Sequence, residues 1–194
     1  MEIILHRRNT IESLKNTPSN YGVEIDIRSY GDNLIISHDP FEYGILFSNW
    51  IRNYNHGTLV INLKEDGLEK KILYFLEKYN INTYFFLDQS LPSIINNSRE
   101  KEIICSARVS EYESIKTALN LKNKVSWIWV DIFTKFPLKN ADFIKLKSMK
   151  FNLCLVSPEL QPNNLLRISD LKKIIYQEKI LFDAVCTKFP EQWI

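Results

Sequence analysis

The feature that most constrains the fold of this chain is a regular alternation of short apolar segments with segments of helical periodicity. Strands that alternate with helices along a chain are typical of βα units, whose strands form a parallel sheet. The parallel strands are predicted to begin near Ile3, Val23, Leu59, Tyr84, Ile103, Val125, Leu153 and Phe182. Eight such strands close a TIM (β/α)₈ barrel, so the predicted fold class is α/β, a compact barrel of parallel strands. An open doubly wound sheet is the structural alternative.

The length of the chain indicates one domain that spans residues 1–194, with short loops. A chain of 194 residues with 45% hydrophobic content can bury one core, whereas a TIM barrel usually takes about 200 residues or more. Residues 34–37 are predicted to pair locally with the second strand, after a turn at residues 31–33. The one stretch without a clear predicted element is residues 40–57.

Composition excludes several classes of protein. The net charge of +2 is too balanced to indicate nucleic-acid binding by bulk electrostatics. Cys105, Cys154 and Cys186 lie in apolar runs without metal-ligand spacing, which is typical of buried thiols in a reducing compartment. The sequence begins without the pattern of a signal peptide, and its apolar runs are too short to cross a membrane. We therefore expect a soluble cytoplasmic protein without nucleic-acid partners or stable membrane insertion.

Polar side chains gather where the predicted strands end. In TIM barrels the active site lies at the carboxyl ends of the strands, so these residues are the functional candidates. The candidates are His6 and Arg7 after the first strand, Glu24 and Asp26 on the second, His38 after the hairpin, and Asn62 and Lys64 on the third.

Glu24 and Asp26 are two residues apart, so alternation along a strand points both side chains to one face. Two carboxylates inside a barrel require a cation, a basic partner or a proton, because an unpaired buried charge is costly. Hard oxygen ligands suit Mg²⁺ or Ca²⁺. The alternative is an internal salt network in which the carboxylates pair with Arg28 and Lys64, and these residues alone do not decide between the two.

The chain has three histidines, His6, His38 and His56. His6 and His38 close predicted neighbouring strands beside acidic residues and Arg7, which favours acid–base chemistry near neutral pH over packing. His56 falls in a loop-like stretch and is predicted to be solvated.

Together these motifs resemble the signature of the glycerophosphodiester phosphodiesterase family. The segments are His6-Arg7, then Glu24-x-Asp26, then the H-D-P run at residues 38–40. The ending D-A-V-C-T-K-F-P at residues 183–190 is similar to that family's last strand, D-G-x-x-T-D-x-P. The resemblance is strong over residues 1–40 and weak through the middle of the chain.

The resemblance implies a TIM-barrel hydrolase of lipid metabolism that cleaves a small phosphodiester to an alcohol and a phosphomonoester. A hydroxyl of the substrate often acts as the first nucleophile in this family. The implied roles are binding of divalent Mg²⁺ or Ca²⁺ by Glu24 and Asp26, phosphate binding by Arg7 and Lys64, and acid–base catalysis by His6 and His38.

Three departures from the family pattern affect these expectations. Asn62 stands where the family has a metal-binding glutamate, so its amide oxygen would complete a weaker metal site unless Glu65 or Glu159 compensates. The usual insertion before the third strand is reduced to residues 41–58, and residues 6–10 contract the family's H-R-G and P-E-N-T elements. These changes bear on glycerol specificity more than on phosphodiester chemistry.

Two alternatives to a metal-dependent hydrolase are open at this stage. One is a metal-independent phosphodiester lyase resembling bacterial phosphatidylinositol-specific phospholipase C, and the other is a barrel that binds a phosphorylated ligand without turnover. Several aromatic residues are predicted either to cover the substrate pocket or to pack in the core: Phe41, Tyr43, Phe47, Trp50 and Tyr54.

Overall fold

The computed structural model describes residues 1–162 and 164–194, which fold as two compact units. The first unit is Ile4–Cys105, and the second joins Met1–Ile3 to Ser106–Ile194. The described residues form ten strands, of which eight run parallel as the sequence predicts. The other two belong to an antiparallel extension of the second strand.

The first unit contains the strands that carry the candidate residues. Its strands are β1 (Glu2–Leu5, of which the first two residues belong to the second unit), β2 (Gly22–Tyr30), β3 (Asn33–Ile36), β4 (Ile45–Leu46), β5 (Leu59–Leu63) and β6 (Tyr84–Leu87). Its helices are α1 (Ile11–Lys15), α2 (Phe47–Trp50), α3 (Glu69–Lys78) and α4 (Leu91–Asn97), with a 3₁₀ turn at Ile51–Asn53.

The second unit continues the βα alternation. It contains β7 (Ser106–Val109), α5 (Ile115–Asn120), β8 (Trp127–Val130), α6 (Asn140–Ser148), β9 (Asn152–Val156), α7 (Ile168–Gln177) and β10 (Ala184–Thr187), with 3₁₀ turns at Pro158–Leu160 and Pro190–Gln192. Strands β7 to β10 pair in parallel in chain order. The amide of Glu2 donates to the carbonyl of Asp183 at 2.7 Å, so the start of the chain is tied to the segment before β10.

Strand β2 is the central strand of the first unit, with β1 on one side and β5 on the other. The register places Asp26 directly opposite Asn62 on β5. From Gly22 to Ile27 every residue of β2 is buried, on both faces of the strand. A strand buried on both faces is typical of a parallel sheet, and here it forces two carboxylates into the interior.

The stretch at residues 40–57 is more ordered than the sequence predicts, because it contains β4, α2 and the 3₁₀ turn. Phe47 and Trp50 are fully buried there, so these two aromatic residues pack in the core and do not cover a pocket. The hydroxyl of Tyr54 donates to the carbonyl of Gly57 within the same stretch. A two-residue strand and a four-residue helix carry no periodicity that a sequence pattern could show.

Three predicted strands begin later than their apolar runs, and one of them is β10, which begins at Ala184 and not near Phe182. The fifth parallel strand, β7, begins at Ser106 and not near Ile103, and only Cys105 in that run forms a bridge, to Phe86. Strand β8 begins at Trp127 and not at Val125. Apolar runs mark burial, whereas a strand also needs a ladder of backbone hydrogen bonds, so the runs overestimate strand length.

In the second unit, the side chain of Glu111 holds the loop that follows β8. It accepts hydrogen bonds from the amides of Phe133 (3.3 Å), Thr134 and Lys135 (3.1 Å) and from the Thr134 hydroxyl (2.7 Å). Burial opposes ionisation, but the hydrogen bonds outweigh it and lower the pKa of Glu111 from 4.5 to about 2. A carboxyl group whose pKa is lower in the folded than in the unfolded state stabilises the fold at pH values above its unfolded-state pKa. This stabilisation is lost as the pH falls through the folded-state pKa.

Glu111→Gln is therefore expected to lower the free energy of unfolding by about 1 kcal/mol at pH 7, because the weaker amide acceptor replaces a charged one at a partly exposed site. The difference in free energy of unfolding between this variant and wild type should shrink as the pH falls from about 4.5 towards 2. Urea unfolding at a series of pH values measures both effects. A difference that stays constant over this range would contradict the assigned cause.

Candidate active site

Backbone groups of the loop after β1 form hydrogen bonds that hold it against β2 and Trp50. The Arg7 amide donates to Oε2 of Glu24 at 2.8 Å, and the Arg8 amide donates to the Glu24 carbonyl at 2.8 Å. The buried Trp50 indole donates to the Arg8 carbonyl, also at 2.8 Å. Arg7 lies in the left-handed region, with φ of 51°, which costs an L residue about 1–2 kcal/mol. The three bonds hold this conformation and direct the side chain of Arg7 towards β2.

Asp26 is fully buried and is directly paired with a cation. Its Oδ1 lies 2.9 Å from Nζ of Lys64, and its Oδ2 accepts a hydrogen bond of 2.8 Å from the amide of Asn9. Nε of Arg7 is 3.7 Å from the same Oδ2. Burial opposes ionisation of Asp26, but Lys64, Asn9 and Arg7 outweigh it and lower the pKa of this carboxyl. The partners of Asp26 therefore favour its anionic form.

Glu24 is equally buried but has weaker partners. Besides the Arg7 amide, its Oε2 lies 3.8 Å from Nε2 of His6. Burial and the neighbouring Asp26 raise the pKa of Glu24 to about 8, although Arg7, Lys64 and Asn62 act in the opposite direction. Oδ1 of Asn62 is buried beside it without a hydrogen-bond partner. Within the described part of the chain, the carboxyl group of Glu24 thus has no directly paired lysine or arginine, whereas Asp26 is paired with Lys64.

His38 is fixed through both its backbone and its ring. Its carbonyl accepts hydrogen bonds from Nε and Nη2 of Arg28 at 3.3 and 3.0 Å. Its Nδ1 is 2.8 Å from Oδ1 of Asp39, and its Nε2 is in close contact with Nη2 of Arg7. A guanidinium can only donate, so we assign Nε2 as the acceptor and Nδ1 as the nitrogen that donates to Asp39. In this tautomer His38 presents a basic nitrogen to the cluster.

All the sequence-predicted site residues lie in this one cluster. Contacts link His6 to Glu24, Glu24 to Arg7 and Asn62, Arg7 to Asp26 and His38, and Asp26 to Lys64. The predicted internal salt network is present only in part, because Lys64 pairs with Asp26 whereas Arg28 binds the backbone of His38.

Three further residues that the sequence analysis named have hydrogen-bond partners of their own. His56 is not simply solvated, because its Nε2 lies 3.0 Å from the Thr17 carbonyl in a partly buried contact. Glu65 is exposed and binds the amide of Ser29. Glu159, in the second unit, accepts hydrogen bonds from the Thr187 hydroxyl at 2.6 Å and the Lys188 amide at 2.9 Å.

Asn9 and Asp39 are the partners to which sequence reasoning assigned no role. The side chain of Asn9 both donates to Asp26 and accepts from its amide, at 3.1 Å, so it clips the loop to β2. Asp39 orients the ring of His38. Asp39 could have been found from its place in the H-D-P run, whereas nothing in the contracted loop distinguishes Asn9.

Within the part of the chain that the structure describes, no helix combines the length and apolar character needed to span a bilayer.

Comparison with known proteins places the fold. No family model and no curated protein matches the sequence. A structure from Agrobacterium tumefaciens strain C58, assigned as a glycerophosphoryl diester phosphodiesterase, superimposes with a TM-score of 0.68 and 13% identity over 96% of this chain and 93% of that one. A second structure, a glycerophosphodiester phosphodiesterase of the same strain, superimposes with a TM-score of 0.66 and 13% identity over 99% of this chain and 97% of that one.

A third solved structure is a phosphodiesterase from Oleispira antarctica in complex with its product, sn-glycerol-3-phosphate. It superimposes with a TM-score of 0.65 and 17% identity over 99% of this chain and 94% of that one. Other TIM-barrel enzymes share the fold at lower similarity. These similarities confirm the predicted fold class: the chain has a TIM-barrel fold, which it shares with solved glycerophosphodiester phosphodiesterases.

Proposed function

We propose that this protein is a phosphoric diester hydrolase of the glycerophosphodiester phosphodiesterase type, which cleaves a small phosphodiester to an alcohol and a phosphomonoester. The observation that carries the proposal is the cluster formed by β1, β2, β5 and the residues that follow them, which combines two histidines, two cationic side chains and two buried carboxyl groups. The fold shared with diesterases, one of them bound to sn-glycerol-3-phosphate, supports a small-molecule substrate.

Arg7 and Lys64 are the phosphate-binding groups in this proposal. A phosphodiester carries one negative charge, and attack on phosphorus increases the charge on its oxygens, which positioned cations stabilise. Arg7 contacts Nε2 of His38 and lies near Asp26, so a phosphate that draws its guanidinium forward also releases the histidine nitrogen.

The two histidines divide the proton transfers. His38 presents an unprotonated Nε2 and is held by Asp39, so it is the base that takes the proton of the attacking hydroxyl. His6, beside the carboxyl group of Glu24, is the acid that gives a proton to the leaving oxygen. The attacking hydroxyl belongs either to water or to the substrate itself.

The oxygens of Glu24, Asp26 and Asn62 fit a divalent cation, although the fit predicts a weak site. The buried Oδ1 of Asn62 has no hydrogen-bond partner, and it lies beside two buried carboxyl groups that suit Mg²⁺ or Ca²⁺. Among the described residues no three His, Cys, Asp or Glu side chains form a metal-binding group, and in this proposal the third ligand would be the neutral amide of Asn62. When bound, the ion would supply Lewis-acid stabilisation of charge on the phosphate.

Asn62→Glu is expected to raise the affinity for Mg²⁺ or Ca²⁺ by about tenfold or more, because ligand charge helps to set the affinity of such sites. Asn62→Leu removes the oxygen at similar size and is expected to abolish measurable binding. Calorimetric titration of both variants and of wild type measures the effect without reference to turnover. Equal affinities for wild type and Asn62→Leu would exclude Asn62 as a ligand.

A screen of phosphodiesters tests the proposed activity itself. Glycerophosphodiesters, nucleoside diphosphate alcohols and lysophospholipids are incubated with the protein in chelator, and then with Mg²⁺, Mn²⁺ or Ca²⁺. We expect turnover of at least one diester that chelator abolishes and a divalent ion restores. Absence of turnover under every condition would refute the hydrolase. The remaining hypothesis would then be a barrel that binds a phosphorylated ligand without turnover.

One observation favours a second candidate, the metal-independent phosphodiester lyase. Nζ of Lys64 lies 2.9 Å from Oδ1 of Asp26. A side-chain cation thus already compensates the charge that a metal ion would otherwise compensate. This reading requires turnover that resists chelator and a cyclic phosphate as the final product. Either result alone would count against the metal-dependent hydrolase.

A further inference from the structure

A cleft in the second unit has the size and lining of a ligand-binding site. It lies between the carboxyl end of α7 and the start of β10, and its volume is about 720 Å³. Pockets for small ligands measure about 300–1,000 Å³. We propose that this cleft, named here the α7–β10 cleft, binds an amphiphilic anion, which is a molecule with an apolar body and one negatively charged end.

The α7–β10 cleft is not part of the proposed active site. All of its lining residues belong to the second unit, whereas the two histidines and the carboxyl groups of the cluster belong to the first. The cleft lies at the amino ends of strands, because Met1 precedes β1, and Leu181 and Phe182 precede β10. Catalytic residues of TIM barrels lie at the carboxyl ends. A ligand in the cleft therefore needs no role in the proposed reaction.

The walls of the cleft expose apolar side chains that the fold does not bury. Met1 is 59% exposed, Tyr176 is 85% exposed and Leu181 is 76% exposed, and all three line the cleft. Their neighbours Ile180 and Trp193 are buried and form the floor. Large apolar side chains gathered at one exposed concavity are typical of a binding site. A ligand with an apolar body would remove this surface from water.

Two lysines give the cleft a positive rim. Nζ of Lys172 donates to the Gln192 carbonyl at 2.9 Å and lies 5.9 Å from the centroid of the Trp193 ring. The Trp193 indole in turn donates to Oγ of Ser157 at 3.0 Å, so this ammonium group is held at the wall. An ammonium group has three donors, and the carbonyl uses one of them, so others are available to an anion. Lys179 is the second cation of the lining.

The lining carries no opposing charge. Among the described residues that line the cleft there is no Asp or Glu. The second unit as a whole has 14 Lys or Arg and 10 Asp or Glu, so its net charge is also positive. The apolar walls match the body of an amphiphile, and the lysines match a negative rather than a positive end.

Shape and charge favour a single small molecule over two larger occupants. In a symmetric dimer each subunit contributes the same surface, so two such clefts would bring four lysines together without an acidic partner from the lining. A flat bilayer would contact the margin of a concave cleft without filling it. A monomeric anion with one apolar chain both fills the cleft and pairs with Lys172 or Lys179.

The test is calorimetric titration with ligands that differ in one feature each. Decanoate and decyl sulfate carry an apolar chain and a negative end, decyltrimethylammonium carries a similar chain and a positive end, and acetate lacks the chain. All are used below their critical micelle concentrations. We expect both anionic amphiphiles to bind wild type about tenfold or more tightly than the cation, and acetate not to bind measurably. Equal binding of decanoate and decyltrimethylammonium would overturn the role of the lysines.

Two variants locate the binding. Leu181→Glu places a negative charge on the apolar wall and is expected to weaken decanoate binding about tenfold or more. Leu165→Glu is its control, because Leu165 is 96% exposed in the same unit but does not line the cleft. Unchanged decanoate binding in Leu181→Glu protein would place the ligand elsewhere and overturn the proposal.

Lys179→Gln tests the positive rim without changing the apolar wall. It is expected to weaken decanoate binding about threefold, since the charge is exposed. Lys173→Gln is the matched control on α7, because Lys173 pairs with Asp170 at 3.0 Å and does not line the cleft. Equal effects of the two substitutions would show that only the net charge matters and would overturn a specific site.

The other occupants give different results. Binding confined to phosphatidylglycerol vesicles, with none to monomeric decanoate, would identify a membrane-docking surface. A wild-type dimer in sedimentation analysis that Leu181→Glu dissociates, without amphiphile binding, would identify a second copy of the chain. Either result would overturn the proposal. None of these measurements requires turnover, so their outcome is independent of the proposed phosphodiesterase function.

Discussion

Replacing His38 by alanine is expected to lower kcat by about 10²- to 10⁴-fold, the contribution of a positioned acid or base, and His6→Ala is expected to do the same. The reason is geometric: Nε2 of His38 faces Arg7, and His6 lies 3.8 Å from Glu24, so both imidazoles belong to the cluster that we propose binds the phosphate. Steady-state kinetics on the best diester of the screen, with the ion that supports it, measures the loss.

His56→Asn is the control for these variants. His56 contacts the Thr17 carbonyl and takes no part in the cluster, so turnover by this variant should stay within about twofold of wild type once folding is confirmed by circular dichroism. Near wild-type turnover by either His6→Ala or His38→Ala would remove that residue from the mechanism.

The second large effect concerns stability. Lys64→Met is expected to lower the free energy of unfolding by about 3 kcal/mol, because it leaves the fully buried Asp26 without its direct cation. The estimate is at the low end of the range for broken buried pairs, since the Lys64 side chain retains 16% exposure. Urea unfolding in the presence of chelator measures the loss without contribution from a bound metal.

The double variant Asp26→Asn/Lys64→Met completes the cycle. With both charges removed, it should be more stable than Lys64→Met alone, because no uncompensated carboxylate is buried. Two single losses that simply add in the double variant would show that the pair does not interact, and the electrostatic account of the cluster would fail.

The fold was predictable because its signal is repetitive. Eight apolar segments separated by helical segments indicate parallel strands without any knowledge of their order, and Glu24-x-Asp26 fixes which face of β2 carries the acids. The extension at β4 and α2 was missed, because elements of two and four residues are shorter than one period of any pattern.

That these residues lie together was predictable, whereas their pairing was not. Strand ends identify the seven residues, but whether Lys64 or Arg28 neutralises Asp26 depends on side-chain direction, and the structure shows Lys64. The same limit applies to the aromatic residues. Phe47 and Trp50 are buried whereas Phe41 and Tyr43 are exposed, although all four lie within ten positions of one another in the sequence.

The most direct test of the central claim is the identity of the reaction product, followed by ³¹P NMR with wild type and with His38→Ala. The account predicts that the diester resonance of the best substrate is replaced by that of a phosphomonoester, that any cyclic phosphate is transient, and that His38→Ala produces neither on the same timescale. An unchanged diester resonance with wild type, or equal conversion by the two proteins, would contradict it.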